Sequence, residues 1–373
     1  MAACGAPSMR RMTKYILAGL IVVLVIAGGW TWSLLNHYNH FDTVVSDRGF
    51  ECAPVPGTQG GEDIAVDWKH RQAFISSGGL IGDLRRYDID RGGEAVKLLP
   101  PDMPVPTAFR GHGISLYAPE KGPRKLFAVN HGGGHDQITI FGISPEGKLS
   151  LEENIRDELL YDANDIQAVG SRQFYVVNST HLGGSRYKNP IGALRFLGGN
   201  ATGSIVYFDG RKFRTVAEPI THGNGIYQSP DGSRIYVAQT TANNVAEYRR
   251  DIRSGALKLE RYYDLPGSPD NISVSPDGEV FVAAFPQFMT FVLEAVSRRV
   301  DLQTGAFQNP VPSQIVRIDP KSAKPVSRFW IDDGKRMAGA TVGVPFERSG
   351  GSYRFFVSGF GRTLICSPVK RPI

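Results

Sequence analysis

Several signatures that would settle the chemistry of this 373-residue chain at once are missing from it. There is no Gly-x-Ser-x-Gly elbow, so the Gly-rich run His131-Gly132-Gly133-Gly134 is not the oxyanion loop of a serine hydrolase, which it otherwise mimics. There is no P-loop and no convincing dinucleotide fingerprint. No basic stripe is interleaved with aromatics, and the net charge of +6 gathers partly at the ends, in Arg10, Arg11, Lys14, Lys370 and Arg371. That argues against a nucleic-acid partner. Zinc is disfavoured too: His131 and His135 have i,i+4 spacing, but the glycines between them oppose a helix that would align them. Amphipathic helical windows are few. Alternating βα units are therefore excluded, and only 156–161 and 288–297 suggest short helices.

What is present begins with an apolar run from Tyr15 to Leu35, of bilayer-spanning length. Positive residues precede it, and Trp30 and Trp32 sit near its far end. The arrangement predicts an N-terminus in the cytoplasm and an exported remainder. No clean small-x-small cleavage site follows, which favours an uncleaved anchor over a removed signal peptide; with cleavage the protein is secreted. The expected organisation is a cytoplasmic tail over 1–14, a spanning helix over 15–35, a linker over 36–48 and a globular region over 49–373. Of three cysteines, Cys4 falls on the cytoplasmic side, while Cys52 and Cys366 bracket the exported region. The last two invite a disulfide. Two separate buried thiols are the other reading.

Gly and Pro are spread along the chain, and one pattern recurs: turn residues, then a short apolar strand with an aromatic near its start. It appears at 72–76, 125–129, 174–177, 234–238, 280–283 and 355–358, twice after a Ser-Pro-Asp-Gly turn. Six repeats suit the four-stranded blades of an all-β, six-bladed β-propeller. The small residues at the strand ends suggest innermost strands near a crowded axis. In that fold Cys52 and Cys366 would meet in one blade and clasp the ring.

Paired acidic and amide residues stand in turns or at blade starts: Glu62-Asp63, Asn164-Asp165, Asn224-Gly225 and Asp270-Asn271. Each alone reads as a turn former. Together, carboxylate and amide oxygens are hard-cation ligands, and a propeller brings equivalent blade ends to one tunnel. His112 and His131 lie in Gly-rich loops and could form a base and its partner.

At these residues the chain resembles the paraoxonase/arylesterase family. The strings are Gly61-Glu62-Asp63, His112-Gly113-Ile114-Ser115, Val129-Asn130-His131, Asn164 to Gly170, Asn224-Gly225-Ile226 with Ser229-Pro230-Asp231-Gly232, and Asp270 to Val274, all in family order. The resemblance implies two calcium ions. Glu62, Asn164, Asn224, Asp270 and Asn271 would hold a catalytic ion. Asp63, Asp165 and the backbone carbonyl of Ile114 would hold a structural one. His112 and His131 would match the family's histidine dyad, and the hydrophobic N-terminus and a Cys52–Cys366 bridge look like family features.

The implied activity is calcium-dependent hydrolysis of a lactone or carboxylic (aryl) ester, with His112 or a carboxylate such as Glu62 or Asp270 activating water. The family's mammalian members carry a Cys-His pair where this chain has Ala284-Phe285. That departure argues against promiscuous organophosphate or aryl-ester activity and leaves the ligand strings untouched. Thr341-Val342 resembles a pocket-wall segment, and His181 is a loose match. Two other readings stay open: a propeller enzyme resembling gluconolactonases or strictosidine synthases, and a non-catalytic binding propeller stabilised by calcium. Asn178, Asn200 and Asn271 fit the glycosylation pattern.

Overall fold

Short runs of β-branched and aromatic residues separated by Gly, Asn and Asp turns pair locally into antiparallel meanders. The computed structural model describes residues 9–77, 82–99, 109–182, 190–297, 307–349 and 351–369; Cys4, Lys370 and Arg371 lie outside them. Six four-stranded sheets form. Blade one runs Asp63–Asp67, Gln72–Ser77, Asp83–Asp88 and Val96–Lys97. Blade two starts with Gly111–Tyr117, blade three with Ala163–Ala168, blade four with Gly223–Gln228 and blade five with Ser268–Val274. Blade six combines Ala340–Ser349, Ser352–Gly359 and Arg362–Pro368 with Phe50–Pro54 from the far end of the chain. The first strands of successive blades touch one another in a closed ring around the axis.

The strands of the sequence repeat are therefore not innermost, contrary to expectation. Each is the second strand of its blade. Its apolar character has a different cause: both faces are covered by neighbouring blades. In Arg124–Asn130 of blade two, Phe127 and Val129 pack toward blade three, while Leu126 and Ala128 pack toward blade one. In Val280–Phe285, Phe281 and Ala283 meet blade six, while Val282 and Ala284 meet blade four. The hydrophobic core is thus a set of seams between blades.

The ring closes where Phe50–Pro54 pairs with Arg362–Pro368. Cys52 lies opposite Cys366 in that ladder, and the two are bonded across 314 residues. Constraining so long a loop removes on the order of 5 kcal/mol of unfolded-chain entropy in the chain-entropy account.

Helix α1 covers Met9–His37 and outruns the expected span at both ends. Its stretch from Met12 is long and apolar enough to cross a membrane and is not buried against the protein. At the C-terminal end of that stretch Leu34 and Leu35, and just beyond it Tyr38, pack on Phe196 and Leu197 of α2 (Pro190–Leu197) and on Phe288 and Met289 of α3 (Phe288–Val296). The Tyr38 hydroxyl donates to the Leu197 carbonyl at 2.8 Å. The second suggested helix, 156–161, is a turn instead. There Asp157 accepts the Leu159 amide, while Asn178 accepts the Tyr161 amide and donates to the Leu159 carbonyl, so side chains take the groups a helix would have used.

Candidate active site at the propeller axis

The innermost strands carry most of the polar residues that the sequence singled out, and bulges aim several of them; Glu62 directly precedes the first strand of blade one, and His131 directly follows the second strand of blade two. Register shifts interrupt pairing between Gly111 and Ile114, Ala163 and Asp165, Gly223 and Ile226, and Pro269 and Ile272. His112, Asn164, Asn224, Asp270 and Asn271 all fall inside these shifts. A bulge leaves its extra residue out of the ladder, free to point at the axis. Close approach of neighbouring strands requires glycine at two of them. A Cβ on Gly113 would lie 2.2 Å from Asp165 Oδ1, and one on Gly225 would lie 2.6 Å from the Asn271 Cα.

Asp63 and Asp165 stitch blades together. Asp63 Oδ2 accepts the Ile114 amide at 2.9 Å, and Asp165 Oδ2 accepts the Ile226 amide at 2.8 Å. Both carboxyls are buried. Burial, then the Glu62 charge, pushes Asp63 up to about 7. Burial, then the Asp63 charge, raises Asp165 well above the carboxylate range. Asp270 is raised likewise by burial and then by Glu62. A cluster of buried carboxylates that raise one another is the environment a bound cation would relieve.

The amides agree. Asn164 Nδ2 donates to Ser179 Oγ at 3.2 Å, Asn224 Nδ2 to Thr240 Oγ1 at 3.2 Å, and Asn271 Nδ2 to Glu62 Oε1 at 2.8 Å. Each amide is thus held by its nitrogen. The oxygens Asn164 Oδ1, Asn224 Oδ1, Asn271 Oδ1 and Glu62 Oε2 are buried without a hydrogen-bond partner. Buried acceptors are normally satisfied, and four orphans on residues of the same expected set match a hard cation's preference for oxygen. Among the described residues no group of three His, Cys, Asp or Glu forms a metal site by itself. The set here depends on asparagine oxygens.

The histidines are joined. His112 Nδ1 lies 2.8 Å from His131 Nε2, and His112 Nε2 lies 3.4 Å from Glu62 Oε1. Burial lowers the His112 pKa, but the Glu62 carboxylate outweighs it and the net shift is upward. His131 Nδ1 lies 2.7 Å from Asp136 Oδ1, whose partner oxygen accepts the Ala163 amide at 2.7 Å. Burial raises the Asp136 pKa, yet the His131 contact outweighs it and the net shift is downward.

Asp136, Ser179 and Thr240 escaped the sequence reading. The last two directly follow second strands that end at Asn178 and Gln239, a position blade alignment would have exposed. Asp136 sits just before the strand Gln137–Ile143 with no motif to mark it. Val342 lies in the seam between blades six and one, and Ala284 in another seam, while Phe285 joins the apolar layer beneath α3. Thr341 Oγ1 donates to the Gly61 carbonyl at 3.0 Å, beside Glu62. His181 stacks on Tyr161 with ring centres 3.7 Å apart. Asn178 and Asn271 are buried, leaving Asn200 as the exposed one of the three glycosylation matches.

Six blades closed by a strand from the opposite end of the chain, with carboxylates, amides and a histidine pair at the axis, define a six-bladed β-propeller with an enzyme-like centre. The sequence matches the Arylesterase family over residues 95–351, and the chain belongs to that family. It is 28% identical to human serum paraoxonase/arylesterase 1, covering 79% of this chain and 84% of that one. It is 27% identical to serum paraoxonase/arylesterase 2 of Gallus gallus, covering 90% and 95%. Its fold is shared with a gluconolactonase from Xanthomonas campestris (TM-score 0.53, 15% identity, 87% of this chain and 91% of that one). It is also shared with a calcium-binding regucalcin from Agrobacterium tumefaciens (TM-score 0.52, 16% identity, 85% and 91%). Family membership is consistent with a hydrolase.

Proposed function

We propose that the protein is a membrane-anchored, calcium-dependent hydrolase of lactones and carboxylic (aryl) esters. The four orphaned oxygens beside a joined histidine pair carry this reading. Glu62, Asn164, Asn224, Asp270 and Asn271 would hold a catalytic calcium ion, and Asp63, Asp165 and the Ile114 carbonyl a structural one. When bound, the catalytic ion supplies a Lewis acid for the substrate carbonyl and its oxyanion.

The protein's own groups handle the proton. With Asp136 as acceptor, His131 carries its proton on Nδ1 and receives a hydrogen bond from His112 at Nε2. His112 Nε2 then keeps a lone pair toward the centre. Water oxygen forms the new bond to the carbonyl carbon, and its proton passes to His112 Nε2. The carbon–oxygen bond to the leaving group breaks, and the leaving alkoxide takes that proton back. Glu62, 3.4 Å from the same nitrogen, is the competing base.

Helix α1 anchors the chain, with residues 49–373 as the catalytic domain outside the cytoplasm. A disulfide between Cys52 and Cys366 suits an oxidising compartment. The detergent-solubilised chain is assayed on a medium-chain lactone and on phenyl acetate, with calcium, after chelation, and after calcium is restored. Turnover that follows calcium supports the hydrolase. Thermal stabilisation by calcium without turnover of either substrate sinks it in favour of a binding propeller. Slower turnover in His112→Gln assigns the base to the dyad, and unchanged turnover assigns it to a carboxylate.

A further inference from the structure

We propose that Asp136 is a positioning residue that sets the tautomer of His131 and ties the histidine pair to the ligand-bearing strand of blade three. The idea rests on the hydrolase reading above only for its kinetic consequence.

Asp136 uses both carboxylate oxygens. Oδ1 meets His131 Nδ1 at 2.7 Å, and Oδ2 accepts the amide of Ala163, the residue before Asn164 and Asp165. The loop around His131 does not depend on it. Asn130 Oδ1 accepts the Arg110 and Gly132 amides, and the His131 amide donates to the Arg110 carbonyl at 3.0 Å. The carboxylate therefore acts on the imidazole ring and not on the fold of the loop. An ionised carboxylate only accepts, so the proton of neutral His131 stays on Nδ1. His131 Nε2 must then accept from His112 Nδ1, 2.8 Å away, which leaves the lone pair of His112 on Nε2, beside Glu62.

An amide at position 136 reverses the sequence. Its oxygen still accepts from Ala163, and its NH2 faces His131 Nδ1. His131 then carries its proton on Nε2 and donates to His112 Nδ1, so His112 Nε2 holds a hydrogen and accepts none. The shape survives and the proton-accepting end of the pair is lost.

The test compares wild type and Asp136→Asn as full-length chains in detergent. It follows kcat and KM for the substrate wild type hydrolyses, calcium-induced thermal stabilisation, and the histidine ring signals of 15N-labelled, chelated protein. The expected result is a kcat lower by at least about 100-fold with KM within about threefold. Calcium stabilisation should be retained, and His131 should change from Nδ1–H to Nε2–H. A variant kcat within about threefold of wild type overturns the proposal. So does an Nε2–H tautomer for His131 in wild type, a measurement that decides the matter even if the variant fails to fold. Should wild type hydrolyse no ester or lactone, the hydrolase reading fails, and the ring signals still judge Asp136.

Discussion

The seams between blades and the axis they surround are both buried, and they obey opposite rules. In the seams, second strands such as Arg124–Asn130 and Val280–Phe285 cover both faces with apolar side chains, and their backbones pair on both edges. At the axis, bulges break the pairing, carboxylates raise one another's pKa values, and four oxygens lack partners. Burial stabilises the first region and penalises the second. The difference locates the chemistry: the closed seams can hold a strained, polar centre in place, as functional sites generally require.

The largest effect should come from breaking a seam. Phe127 is fully buried between blades two and three, so Phe127→Ala should lower unfolding stability by about 3–5 kcal/mol in denaturant titration. Calcium should still raise the melting temperature of that variant. A loss of calcium response instead would show that the two regions are one cooperative unit.

Next in size is a residue of the proposed calcium-binding set. Asn271→Ala should reduce lactone turnover by at least about 100-fold, while costing the chelated protein no more than about 1–2 kcal/mol through its lost bonds to Glu62. If its stability cost rivals that of Phe127→Ala, the axis is a structural core like the seams.

The pH response separates the regions more finely. The folded Asp63 carboxyl sits at about 7, above its ordinary value near 4, and Asp165 and Asp270 shift the same way. Groups with raised values favour the folded state at low pH and lose that contribution as pH rises through the folded value. Chelated protein should therefore melt higher at pH 5 than at pH 7.5, and calcium should shrink the difference. A chelated protein more stable at pH 7.5 would contradict the axial electrostatics. The smallest effect is expected from Thr240→Val. Its hydroxyl receives the Asn224 amide and donates to the Pro269 carbonyl, so calcium affinity by titration calorimetry should fall roughly tenfold at a stability cost of about 1 kcal/mol.

Much of this was legible in the chain. The six strand repeats announce a propeller because each is apolar on both faces, and the N-terminal helix announces itself by its apolar length. Their depth was misread, since a strand flanked on both sides and a strand at the axis are both apolar by one-dimensional rules. The axial strands are broken by His, Asn, Asp and Gly and do not look like strands at all. Glu62, Asp63, His112, His131, Asn164, Asp165, Asn224, Asp270 and Asn271 could be singled out because they lie in recurring strings. Asp136 could not, because its two partners, His131 and Ala163, meet only when blades two and three close together.

By itself, the sequence determined the number of blades and the apolar N-terminal stretch of bilayer-spanning length, and it pointed to a bridge between Cys52 and Cys366 and to polar residues gathered at one end of the blades. These follow from local periodicity, hydrophobic length and the chemistry of short strings. The tertiary structure alone decided which strand faces the axis, that each asparagine is held by its amide nitrogen with its oxygen left over, and that the two histidines line up with Asp136. Those depend on bulges and on contacts between blades, where a shift of one residue would turn a side chain away from the axis.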